Sequence, residues 1–108
     1  MMFGRKKTTV DVTAAQEMAN DDGWVIVDVR KKDERMKGHV PGSLHYSLDS
    51  LNQRLPQLED KKVLAICQSG VRSETARKFL TQNGIEAISV KGGMIAWTRA
   101  GLPTATGK

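Results

Sequence analysis

A single cysteine, Cys67, is all the thiol chemistry in 108 residues. One cysteine cannot close an internal disulfide, so a reducing compartment such as the cytoplasm is expected. Aromatic residues are equally scarce, at two Trp, one Tyr and two Phe. No apolar run approaches the roughly 20 residues that span a bilayer, which leaves no membrane segment to expect. The opening MMFGRKKTTV is basic but lacks the roughly 7–15-residue apolar core of a secretory leader, and none is expected. Acidic residues are outnumbered, and the net charge is +5. The basic residues are nevertheless scattered as pairs (Lys6 and Lys7, Lys31 and Lys32, Lys61 and Lys62, Arg77 and Lys78). No basic stripe with interleaved aromatics appears, so nucleic acid is not the expected partner. A small anionic substrate would gain from the same field. Cys67, His39 and His45 lack the spacing of a zinc site, so no metal is expected.

What is present is an ordinary core: 39% of residues are hydrophobic and 27% charged, enough for one globular domain without a metal or disulfide. Residues 8–103 are expected to form it, with flexible tails at 1–7 and 104–108. Thr13 to Gln16 fits a T-x-x-Q capping box that opens a helix through about Ala19. WVIVDV (24–29) is a continuous β-branched run, as in a strand buried on both faces. A short polar helix over 31–37 stops before Gly38, GHVPGS is turn chemistry, and LHY is a short strand candidate. Leu48, Leu51, Leu55 and Leu58 recur at helical spacing, which Pro56 must end or bend. KVLAI (62–66) and AISV (87–90) read as further buried strands. A helix from Ser73 to Asn83 presents Ala76, Phe79 and Leu80, with Gly84 to terminate it. Met94 and Trp97 share one face of a last helix, preceded by a tight turn at Gly92 and Gly93. Strands alternating with helices imply an α/β fold, a mostly parallel sheet covered on both faces. Ligands in such sheets gather beyond the carboxyl ends of the strands. Cys67 sits at one such end, and Asp28 with Arg30 at another.

Free cysteine is among the most buried residue types, so Cys67 could simply close a strand. The loop after it argues otherwise. Gln68, Ser69, Gly70, Val71 and Arg72 are poor core material and good anion-binding material. Their backbone N–H groups can curl around a sulfur, and Gly70 permits the positive φ that such a nest often needs. Arg72 adds a fixed charge, and the helix that follows adds its dipole. An ordinary thiol, with a pKa of ~8.5, is only a few per cent ionised at neutral pH. Such surroundings lower it to ~3.5–7.5; at about 6.5 roughly three-quarters would be thiolate.

Three stretches, DVRKKDERMKGHVPGS (28–43), CQSGVRS (67–73) and KGGMIAWTRAGLP (91–103), resemble the signature stretches of the rhodanese-like domain family. The resemblance runs from about Val10 to Pro103. It implies a rhodanese-like parallel five-stranded sheet with helices on both faces and a sulfurtransferase of the thiosulfate type. Cys67 would carry sulfur as a persulfide, cradled by Gln68, Ser69, Gly70, Val71 and Arg72, with Arg72 holding the departing sulfite. Sulfur would pass to cyanide or a thiol, or to a sulfur-relay protein, and no cofactor would be needed. Asp28, Arg30 and Ser73 would support the loop rather than react, although Asp28 and Arg30 could equally be surface charges. His39 reads as a turn-stabilising residue. Two positions depart from the family pattern: Arg35 follows Glu34 where an aromatic residue is usual, and His45 replaces an apolar or amide residue.

Two other functions fit parts of this sequence. Cysteine phosphatases and arsenate reductases use a related loop of form C-x5-R, whereas Arg72 gives C-x4-R and Ser73 stands where that arginine would fall. The shorter loop leaves less room for a tetrahedral oxyanion. A non-catalytic interaction module on the same fold would need neither Cys67 nor Arg72.

Overall fold

The computed structural model describes residues 7–107; residues 1–6 of the tail expected at 1–7, and Lys108, lie outside that range. Five parallel strands form one sheet in the order β1-β5-β4-β2-β3. They are β1 (Thr9–Val10), β2 (Val25–Asp28), β3 (Leu44–His45), β4 (Lys62–Ile66) and β5 (Glu86–Val90). The helices are α1 (Val12–Asp21), α2 (Lys32–Lys37), α3 (Leu55–Leu58), α4 (Val71–Gln82) and α5 (Gly93–Arg99), with a 3₁₀ segment over Leu48–Arg54. This is the expected α/β sheet.

Side chains of a strand alternate between its faces, and β4 shows the result. Val63 and Ala65 pack with Leu51, Leu58, Ala76 and Leu80 on one side. Leu64 and Ile66 pack with Val12, Ala15, Met94 and Trp97 on the other. Cys67 follows the parity of Val63 and Ala65, which sends its sulfur toward the α4 side.

Several local expectations are corrected. The first helix is capped by Asp11, whose carboxylate accepts from Ala14 N at 2.8 Å. Thr13 therefore lies inside the helix and is not its cap. Aspartate is at least as good an N-cap as threonine, and the earlier residue nucleates the turn. The leucine-rich stretch is a 3₁₀ segment followed by one short α-turn, with Pro56 in its first turn, where a missing N–H costs nothing. Helix α4 begins two residues before Ser73, after Gly70 at φ +111°. β1 is too short to show a period. Within the tail expected at 104–108, two residues make backbone hydrogen bonds to the α2 region. Ala105 exchanges backbone hydrogen bonds with His39 at 2.8 and 2.9 Å, and Gly107 N donates to Met36 O at 2.8 Å. His39 is buried, and its ring Nδ1 hydrogen-bonds Arg35 O, the structural role expected of it.

Candidate active site

Cys67 directly follows the carboxyl end of β4 and is 1% exposed. Two contacts turn the polarity of the following loop inward. Met94 N donates to Cys67 O at 2.8 Å and Ile95 N to Gln68 O at 3.1 Å. The first turn of α5 thus takes up those two loop carbonyls, and the loop N–H groups are left to face the sulfur. Gly93 makes the approach possible. It sits at φ +56°, and a Cβ there would collide with Cys67 O and lie 2.6 Å from Gln68 O. Gly70 N then donates to Cys67 Sγ at 3.0 Å.

Burial pushes the Cys67 thiol up. Hydrogen bonds from the Ser73 hydroxyl and from the backbone N–H groups of Ser73, Gly70 and Ser69 outweigh it, so the net pKa is lowered. The site therefore eases ionisation of the thiol relative to an ordinary cysteine.

Ser73 Oγ is 3.5 Å from Cys67 Sγ, 3.1 Å from Gly70 O and 2.7 Å from Ser89 Oγ. One hydroxyl proton cannot serve three acceptors. When Cys67 is a thiolate, Ser73 donates to sulfur and Ser89 can donate to Ser73. Ser89, 1% exposed on β5, escaped the sequence reading, although a lone serine in a buried strand was the available signal. Removing the Ser73 hydroxyl costs the thiolate a hydrogen bond. Ser73→Ala should therefore raise the Cys67 pKa, and Ser89→Ala should raise it less. Alkylation rate against pH reads the shift. Unmoved midpoints in both variants would leave the backbone N–H groups as the sole support of the thiolate.

The other loop side chains contribute less to the cradle than their backbone does. Val71 is 74% exposed, and Gln68 and Ser69 are exposed. Arg72 is held by Glu34 through two bonds, Nη1–Oε1 at 2.6 Å and Nη2–Oε2 at 2.8 Å. The pair lowers the Glu34 pKa to about 2 and raises that of Arg72. Glu34 also accepts from Lys31 N at 3.1 Å, anchoring the start of α2.

Asp28 and Arg30 are not surface charges: they are 0% and 3% exposed. The Asp28 carboxylate accepts from Arg30 N and Nε at 3.0 Å and from Nη2 at 2.8 Å. The same guanidinium donates to Gln68 Oε1 at 3.1 Å and Gly38 O at 2.6 Å. Arg30 thus links the end of β2, the end of α2 and the cysteine loop. Arg35 is buried too, donating to Ser43 Oγ and O, with Nη1 3.5 Å from Asp28. Desolvation lowers its pKa. At this departure from the family pattern a buried guanidinium replaces an aromatic ring. At the other, His45 Nε2 hydrogen-bonds Arg30 O at 2.8 Å. An open cleft of ≈ 760 Å³ adjoins the loop, walled by Gln68, Arg30, Glu34, Lys37, Ile95 and Arg99.

The family model of the rhodanese-like domain matches residues 11–100. The chain belongs to the rhodanese-like domain family. A relative from Vibrio cholerae, thiosulfate sulfurtransferase GlpE, is 36% identical over 87% of this chain and 91% of its own. The uncharacterized protein slr1261 of Synechocystis is 38% identical over 90% of this chain. The chain spans only 58% of the length of that relative. Among solved structures, a rhodanese-related protein from Thermoplasma volcanium superposes with a TM-score of 0.79 at 32% identity, covering 90% of this chain and 96% of that one. Named sulfurtransferases are thus among the relatives of this rhodanese-like chain. Among its described residues no helix is long and apolar enough to cross a membrane.

Proposed function

We propose that this rhodanese-like protein moves sulfane sulfur through a persulfide on Cys67. The observation that carries the reading is the inward-facing backbone cradle around a thiol whose pKa is lowered. In the first step the Cys67 thiolate attacks the outer sulfur of thiosulfate. A Cys67 S–S bond forms, the donor S–S bond breaks, and its electron pair leaves on sulfite. The negative charge then rests on the outer sulfur of Cys67–S–S⁻, where the loop N–H groups of Ser69 and Gly70 can hold it. In the second step cyanide or a thiolate attacks that outer sulfur and Cys67 leaves as thiolate. The six-residue loop from Cys67 to Arg72 suits a sulfur atom better than a tetrahedral oxyanion, which favours this reading over phosphate or arsenate chemistry. Within it, Asp28, Arg30 and Ser73 hold the loop, and the reaction runs in the cytoplasm.

Whole-protein mass measurement tests the proposal. Thiosulfate should add one sulfur atom, about 32 Da, and cyanide should remove it. Protein that stays at its starting mass with thiosulfate and with an alkyl persulfide would refute the reading and favour the interaction module.

A further inference from the structure

We propose that Glu34 sets the choice of sulfur donor by holding the charge of Arg72 in an internal ion pair, so that the resting site disfavours dianionic donors such as thiosulfate relative to alkyl persulfides. This rests on the sulfur-transfer reading and names the donor class of that same site.

Arg72 is the only charged side chain of the cysteine loop. Its Nη1 and Nη2 edge is fully engaged by the two oxygens of Glu34. Both side chains remain partly open to solvent, at 34% and 29%, so the pair stands at the mouth rather than in the core. Among the described residues Glu34 is also the sole carboxylate lining the adjoining cleft, whose other charged residues are Arg30, Lys37 and Arg99. One acidic residue therefore separates the mouth from a wholly cationic character. Its ionisation is secure, because the pair with Arg72 keeps it charged far below neutral pH.

The two donor classes differ at the departing group. Thiosulfate brings two negative charges and releases sulfite, a dianion that needs a cation beside it. It must either displace Glu34 from the guanidinium or approach a carboxylate of like charge. An alkyl persulfide, R–S–SH, carries at most one negative charge. Attack by the Cys67 thiolate on its outer sulfur forms the Cys67 S–S bond and breaks the donor's own S–S bond, and the RS⁻ released takes the persulfide proton to leave as RSH. No sulfonate has to be paired, so Glu34 obstructs this route far less.

The decisive variant is Glu34→Gln, whose amide oxygen can still accept from Lys31 N and keep the start of α2. Its thiosulfate-to-persulfide ratio of kcat/KM should rise about tenfold, mainly through a lower KM for thiosulfate. The gain should vanish in Glu34→Gln combined with Arg72→Ala, because the freed guanidinium is what attracts the dianion. Thiosulfate binding to Cys67→Ser protein, measured by calorimetry, should tighten by a similar factor when Glu34→Gln is added. An unchanged ratio with unchanged binding, or a gain that survives without Arg72, would overturn the proposal. Persulfide loading of Cys67, read by mass in the same samples, reports separately on the sulfur-transfer reading. Loading with an unmoved ratio sinks the role of Glu34 alone, whereas no loading from either donor sinks the transfer reaction itself.

Discussion

Cys67→Ser protein incubated with thiosulfate should gain no sulfur, and its cyanide-dependent turnover should fall to background. A serine alcohol stays protonated at neutral pH and attacks sulfur poorly, while the thiolate is both ionised and intrinsically nucleophilic. The loss should exceed that of any other substitution in the loop. In the proposed reaction the loop N–H groups of Ser69 and Gly70 would stabilise a charge, whereas the Cys67 sulfur would make and break the bond. The surrounding geometry should survive, because the smaller oxygen can still accept from Gly70 N at the foot of the cradle. Matched thermal unfolding of both proteins therefore serves as the control. Sulfur loading of the serine variant equal to that of the native protein would end the assignment of Cys67.

Asp28→Ala should produce the largest loss of stability. One carboxylate, fully buried, faces two arginines that are themselves 3% and 8% exposed. Removing it strands both guanidinium groups in a desolvated site, and breaking a buried pair in this way costs roughly 3–5 kcal/mol. For a domain of this size that lowers Tm by about 15–30 °C. Asp28→Asn keeps an oxygen to accept from Arg30 and should fall between the two. A change below about 1 kcal/mol in chemical denaturation would mean that water already screens the cluster. Activity should fall further than stability explains at temperatures where the variant is folded, because Arg30 also holds Gln68 and Gly38.

The parts of this site that were legible in the sequence are those fixed by local chemistry. An apolar run followed by Cys67, and a glycine and an arginine after it, point to a strand end and a polar loop without reference to the rest of the chain. Gly93 announced a tight turn, though not that it would lie on the Cys67 and Gln68 carbonyls. What escaped was pairing across the fold. Glu34 and Arg72 are 38 residues apart, and no periodicity links a charge on one helix to a charge opening another. Ser73 and Ser89 meet because α4 packs across β5, a fact of topology rather than of spacing. Asp28 and Arg30 were ambiguous for a related reason. A D-x-R at a strand end is common on surfaces, and only the arrival of Gly38, Ser43 and Gln68 around it removes the water. The N-cap was misplaced because Asp11 and Thr13 are both good caps, and choosing between them depends on where β1 ends.

The two outermost strands of the sheet, Thr9–Val10 and Leu44–His45, are each two residues long, against four or five for the three inside. A long, flat border would display a row of unused amide and carbonyl groups on which a second chain could lay another strand, the first step toward aggregation. Here each border ends before such a row develops, as β1 gives way to α1 and β3 to the 3₁₀ segment. The same brevity that hid β1 from sequence reading thus acts as protection against lateral growth. It limits the row of free amide and carbonyl groups that a sheet of apolar strands would otherwise offer at its borders.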